Sequence, residues 1–170
     1  KNLWVVLNEI CLENKAFFND LSVRLIGDFD KEIVNDNNIK LIGSKVKFEK
    51  YLEKDKLDIE ISKANVLLLS SVNIDSVNNI IPGKLFYYFS VKRPILAFSN
   101  LNSDVSEIIK KTKTGRVFEY SNKIDLKNHI LELYSDYKAG KNNFKPDGIS
   151  DYTFDKLSET VDEILKKTIN

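Results

Sequence analysis

Apolar positions follow two periods along this chain, and the two alternate. Leu3, Trp4, Leu7, Ile10, Cys11, Phe17 and Phe18 recur at helical spacing, which predicts an amphipathic helix over residues 2–18 with Trp4 and Cys11 in the core. The run Ser22–Gly27 (SVRLIG) is short, β-rich and ends in glycine, with Asp28 directly after it. Residues 30–36 read as a brief helix before a second such run, Ile39–Gly43 (IKLIG). Both runs end Leu-Ile-Gly, and a glycine there lets the following loop pass close to a neighbour or a ligand. From Lys47 to Lys63 lysines alternate with acids around Phe48, Tyr51, Leu52, Leu57, Ile59 and Ile61, the pattern of one or two helices with a solvated charged face. Asn65–Ser71 (NVLLLSS) is almost continuously apolar, as a strand covered on both faces should be. A polar loop, Val72–Asn79, then leads to a helix over about 82–92. Pro94–Ser99 reads as a strand, Ser103–Lys113 as a capped helix opening Ser-Asp, and Gly115–Tyr120 as another strand. Lys123–Lys138 is again helical, Lys138–Ser150 is an aperiodic loop, and a last helix over 151–168 aligns Phe154, Leu157, Val161, Ile164 and Leu165 on one stripe.

Helices alternating with short apolar strands specify an α/β fold: a Rossmann-like, mainly parallel sheet with helices on both faces and right-handed crossovers. No repeat of diagnostic period and no linker interrupts the pattern, so residues 1–170 read as a single domain. Such a sheet normally opens with a strand, whereas this chain opens on a helix and contains no methionine. It therefore reads as truncated on its amino-terminal side, with the first strand missing. Ligands of such sheets bind outside the carboxyl ends of the strands, where Gly27-Asp28, Gly43-Ser44 and the loop before Pro82 are expected to emerge together.

The start of the central helix carries the chemistry. Ile81 stands where an N-cap is expected and has no oxygen to offer the free N–H groups of the first turn. Pro82 suits the first helical position. Lys84 then places a cation at the positive end of the helix dipole, which costs about 0.3–1 kcal/mol unless an anion is bound there. A phosphate would satisfy both the amides and the lysine. The alternative is a buried apolar helix whose lysine snorkels to water.

Composition narrows the function classes. Net charge is +1 with 30% charged residues, so no global field recruits nucleic acid or acidic lipid. The lysines at 45, 47, 50, 54 and 56 are neutralised by Glu49, Glu53 and Asp55 and lack a clustered aromatic platform, which argues against nucleic acid as a partner. The single cysteine, Cys11, excludes an internal disulfide framework and a multi-cysteine metal site, and with one histidine, His129, mid-helix, neither a triad nor a zinc cluster is expected. Asp28 alone is too few acids for a phosphoryl-accepting receiver and reads first as a loop or capping residue. No Gly-x-Gly-x-x-Gly follows a strand and no P-loop is present. No apolar run approaches the ~20 residues that span a bilayer and no signal peptide is visible, which favours a cytoplasmic setting.

The run Ile81-Pro82-Gly83-Lys84-Leu85-Phe86-Tyr87-Tyr88-Phe89, followed by Lys92-Arg93-Pro94-Ile95-Leu96-Ala97, resembles the I-P-x-K-L-F-E-Y-L-A-x-x-K-P-I-L-A signature of bacterial group-1 glycosyltransferases of the GT-B fold. The two Leu-Ile-Gly runs, the second with Gly43 and Val46, and the apolar strand precede it in the expected order. Thr114-Gly115-Arg116-Val117 and Tyr152-Thr153-Phe154 follow it. The resemblance spans nearly all of the chain but only the carboxy-terminal, donor-binding half of such an enzyme. It implies that the amides of Gly83, Lys84 and Leu85, opened by Pro82, meet the diphosphate of a nucleoside-diphosphate sugar, with the Lys84 side chain joining them. It places Gly43, Ser44 and Val46 along the base and Gly27-Asp28 beside the phosphates or sugar. The absent amino-terminal domain would carry the acceptor site, any catalytic base and any peripheral contact with the inner face of a membrane. No metal or other cofactor is implied, and the fragment alone would be inactive.

Members of that family commonly have glutamate where Tyr87 stands, bonding the ribose, and many have another where Asn79 stands. Tyrosine cannot clamp a diol with two carboxylate oxygens. Two further readings therefore stand beside the transferase: a non-catalytic relative that binds a sugar nucleotide weakly or serves as an interaction scaffold, and a sugar-nucleotide epimerase.

Overall fold

In a computed structural model that describes residues 2–29, 31–70 and 80–169, every strand pairs in parallel with its neighbour. The loop Val72–Asn79, Asn79 included, and the side chain of Phe154 lie outside the described residues. In chain order the first elements are α1 (Asn2–Glu13), α2 (Lys15–Asp20), β1 (Val23–Ile26), α3 (Lys31–Val34), α4 (Asn37–Leu41), β2 (Val46–Glu49) and α5 (Lys54–Ser62). They are followed by β3 (Leu67–Ser70), α6 (Gly83–Val91), β4 (Ile95–Phe98), α7 (Asp104–Thr112), β5 (Gly115–Phe118), α8 (Lys123–Lys138) and α9 (Phe154–Ile169). The fold is α/β and Rossmann-like in its parallel pairing, but its strands form two sheets, β1-β2 and β3-β4-β5, rather than one. The chain divides accordingly into two compact units, Lys1–Lys63 with Tyr120–Asn143, and Ala64–Glu119 with Phe144–Asn170.

In the first unit α1 packs on α8 and buries Trp4, Val6, Leu7 and Ile10. The single helix expected over 2–18 is broken at Asn14, whose side chain accepts from Phe17 N at 3.0 Å and so starts α2 as a separate capped turn. Cys11 is only half-buried. That burial pushes its thiol pKa up, while Lys45 pulls it the other way. Phe17 meets Tyr134 edge to face at 5.0 Å, and Asp20 accepts from Tyr134 Oη at 2.8 Å and from Lys138 Nζ at 3.1 Å. These contacts tie α2 to α8.

Two expected elements are corrected here. Ile39–Gly43 is not a strand: Asp36 accepts from Asn38 N at 2.8 Å, α4 follows, and a 3-10 turn, Gly43–Lys45, leads into β2. A short apolar run fits either period, and burial decides between them. Ile39 (3% exposed) and Ile42 (2%), three apart, face the core, whereas Leu41, which a strand would have placed beside Ile39, is 75% exposed. Lys47–Glu49, expected within a helical stretch, instead belongs with Val46 to the strand that partners β1. Arg24 of β1 donates to Glu49 of β2 through Nε and Nη2, and to Glu60 of α5 through Nη1, joining three elements through one guanidinium.

The second unit is built on β4, buried along its whole length and flanked on both edges. This is why Ile95–Phe98 reads as an unbroken apolar run. Val105, Ile108, Ile109 and Thr112 bury one face of α7. Thr112 and Thr114 share a buried hydroxyl contact of 2.8 Å, and Thr112 Oγ1 also donates to Ile108 O at 2.7 Å. At Gly115 the neighbouring strand comes so close that a Cβ would lie 1.9 Å from Ile95 O, so β5 can pair there only through glycine. The expected apolar stripe of α9 is present, with Leu157, Val161, Ile164 and Leu165 all exposed. Among the described residues no helix is long and apolar enough to cross a membrane.

Candidate functional site

The helix start singled out in the sequence is α6, one residue later than expected. Pro82, at φ −63° and ψ 131°, is the N-cap rather than the first helical residue, and Gly83 opens the helix. No side chain caps it, and its first turn contains no acid. Leu85 N donates to Pro82 O at 2.9 Å. The Leu85 amide is therefore engaged within the helix, and the three expected phosphate donors reduce to two. Among the described residues no acceptor is bonded to the N–H of Gly83 or Lys84. Gly83 is exposed with nothing within 4 Å of where a Cβ would stand, and the Lys84 side chain is exposed.

The rest of α6 is firmly seated. Leu85 (0% exposed) and Phe89 (3%), one turn apart, enter the core. Tyr88 Oη donates to Leu68 O of β3 at 3.2 Å, and burial raises the Tyr88 pKa. Tyr87 is half-buried, its ring 6.3 Å from that of Tyr88. On the opposite side of the first turn Phe86 stacks on Tyr152 at 5.9 Å. The chain must return from the carboxyl end of β3 to the amino end of β4 through α6, and Lys92 in the left-handed region (φ 53°) closes the helix just before β4. That connection puts the uncapped end at the carboxyl edge of the sheet, where α/β ligands bind.

The remaining candidates belong to the first unit and do not form one cluster there. Gly27 follows β1, with its N–H donating to Glu49 O at 3.0 Å and its φ of 126° in the region reserved for glycine. Asp28 beside it is exposed. Gly43 and Ser44 are exposed, but they lie before β2, and Val46 is a buried strand residue opposite Val23. Glu49 pairs with Ile26 at the other end, so Gly43–Val46 enters the sheet at its amino end while Gly27-Asp28 leaves it at the carboxyl end, roughly 10 Å away at ~3.3 Å per residue. The expected convergence of these two loops on one edge is thus corrected, and the cause is the helical folding of Ile39–Leu41, which moves the glycine from the end of a strand to its beginning.

The capped α7 start expected at Ser103 is observed, and its partners Ser99 and Asn100 are residues that sequence patterns did not single out. Ser103 caps α7 by accepting from Ser106 N at 3.3 Å, donates to Asn100 O at 2.7 Å, and meets the buried Ser99 hydroxyl at 2.9 Å. The paired serines bracketing Asn-Leu-Asn were the available signal. A groove of about 420 Å³ between α7 and β5, lined by Leu101, Lys110, Lys113 and Arg116 among others, includes no residue of α6. His129 lies beside Glu132 (Nδ1 to Oε2 3.4 Å) on α8, and among the described residues no cluster of His, Cys, Asp and Glu is arranged to hold a metal ion. Comparison with known proteins finds no family model that matches the chain and no curated protein that matches it.

Proposed function

We propose that the α6 amino terminus binds the diphosphate of a nucleoside-diphosphate sugar, and that the chain is the donor-binding half of a glycosyltransferase of cell-surface polysaccharide or related glycan synthesis. One observation carries the reading: a helix leaves the carboxyl edge of a parallel sheet with no side-chain cap, no acid in its first turn, an exposed lysine and, among the described residues, two amides with no acceptor. The likeness of residues 81–97 to the group-1 signature supports the same conclusion. In the proposed reaction an acceptor hydroxyl, held by a separate domain, attacks the anomeric carbon as its bond to the diphosphate breaks, and the hydroxyl proton passes to a base on that domain. The Gly83 and Lys84 amides, the helix dipole and the Lys84 ammonium stabilise the departing diphosphate. The Val46 side chain is buried and so supplies packing rather than ligand contact.

Calorimetric titration with UDP, GDP and other nucleoside diphosphates tests this directly. The wild-type chain should bind at least one, and Lys84→Ala should weaken it by about tenfold or more, the range of one charge-assisted hydrogen bond. Absence of binding to every nucleotide would favour the second reading, a non-catalytic scaffold of the same fold. That reading draws its support from Tyr87, whose half-buried ring packs near Tyr88 where the family commonly has glutamate.

A further inference from the structure

We propose that Tyr152 is a positioning residue for this diphosphate site, holding the first turn of α6 at the tilt that aims the Gly83 and Lys84 amides. The inference rests on the diphosphate reading of α6.

Phe86 lies three residues after Gly83, on the same face of the helix and directly beneath it. A displacement of Phe86 is therefore transmitted to the Gly83 amide. Tyr152 stacks on Phe86 with the ring planes at 29° and meets Phe89 edge-on at 5.8 Å, so one ring spans both residues of that face. Core packing by Leu85 and Phe89 sets how deeply α6 sits, but both point to one side of the axis and leave its tilt to outer contacts.

Tyr152 is itself anchored from the next helix. Lys111 of α7 places its ammonium 5.7 Å from the ring centroid and 3.6 Å from the Asp151 carboxylate. Upstream, Asp147 N donates to Thr112 O at 2.8 Å, and the Asp147 carboxylate pairs with Lys113 at 3.2 Å. Gly148, with φ 64°, then turns the chain into the 3-10 turn Ile149–Tyr152. The segment 147–152 is thus a strap fastened to the capped, well-seated α7 and pressed against the uncapped α6. A helix start without a side-chain cap gains more from such outside support than the capped start of α7 does.

The test uses the full chain and four probes, UDP with UMP and GDP with GMP. Only the diphosphates reach the α6 amides with a second phosphate, so the ratio of diphosphate to monophosphate affinity reports their alignment, whereas a general loss of structure lowers both affinities together. Tyr152→Ala should lower that ratio on the order of tenfold, as expected for a small misalignment of oriented groups. Tyr152→Phe, which keeps the ring, should restore it. Lys111→Ala should lower it by about two- to fivefold, the worth of an exposed cation over a ring. If Tyr152→Ala does not fold by circular dichroism, Tyr152→Leu, which fills the space without a flat face, takes its place. A wild-type ratio retained in the Ala or Leu variant would overturn the inference while leaving the diphosphate reading intact. Failure of the wild-type chain to bind any diphosphate would overturn the reading itself, and the inference with it.

Discussion

Two helices of the second unit, α6 and α7, leave successive strands of the same parallel sheet, have the same length and end alike, on a lysine in the left-handed region. Their beginnings are opposites. The α7 start is closed: Ser103 caps it, Asp104 and Glu107 complement the dipole in its first turn, and the serine is held in turn by Ser99 and Asn100. The α6 start is open, with proline as its cap residue, glycine first and a lysine second. Since α7 shows that this fold readily builds a satisfied helix start at this edge, the α6 start is a local departure from it. A lysine and no acid at the positive end of a helix dipole are electrostatically unfavourable, and an anion bound there would relieve this.

The comparison can be broken from the scaffold outward. Gly115→Ala should have the largest effect, because its Cβ meets the Ile95 carbonyl rather than a movable side chain and β4 and β5 must separate. A loss of roughly 3 kcal/mol or more in urea unfolding is expected, in the upper range for single substitutions, and a loss under about 1 kcal/mol would contradict the close approach. Next, Ser103→Ala removes the α7 cap and strips the buried Ser99 hydroxyl of one partner, for a combined cost of about 1–3 kcal/mol. The converse change, Pro82→Asp, should stabilise the ligand-free chain by about 0.5–1 kcal/mol by capping α6, yet abolish diphosphate binding by occupying its amides. Gains in both stability and affinity would show that the amides serve no anion. Lys84→Glu is a smaller version of the same trade, with about 0.3–1 kcal/mol of stabilisation from the dipole and loss of nucleotide affinity.

The smallest predicted effect concerns pH and the first unit. Bonds from Arg24 lower the pKa of Glu49, and bonds from Lys63 and Arg24 lower that of Glu60. Carboxylates with depressed folded-state values contribute stability that is present above their unfolded values and lost as pH falls through the folded ones. Unfolding midpoints should therefore drop on acidification from neutral pH to below the ordinary glutamate range. Arg24→Ala should flatten that part of the profile, and an unchanged slope in the variant would remove the network from any role.

What was legible in the chain is what local chemistry controls. The apolar run at Ile95–Phe98, the Ser-Asp start of α7 and the helical span of α8 could be read because burial period and capping act over a few residues. The unsatisfied start of α6 was legible for the same reason, since Ile81, Pro82, Gly83 and Lys84 contain no capping oxygen whatever surrounds them. Ile39–Gly43 was not, because three apolar residues in five suit a strand or a helix equally until a core is present to choose a face. Asn14 likewise divided an expected helix by a single side-chain bond that spacing alone does not reveal.

Parallel pairing followed from helices alternating with strands, but the separation of the strands into two sheets and the placing of Gly43–Val46 at the amino end of β2 were decided only in three dimensions. So was the seating of Tyr152 against Phe86, which joins segments far apart in the chain. Hydrogen bonds between strands and contacts between aromatic faces depend on which distant segments meet, and no short stretch of residues encodes its partner. By itself the sequence determined that one helix would begin without a side-chain cap and with a lysine in its first turn. The tertiary structure decided where that helix begins and which amide of its first turn is engaged within it.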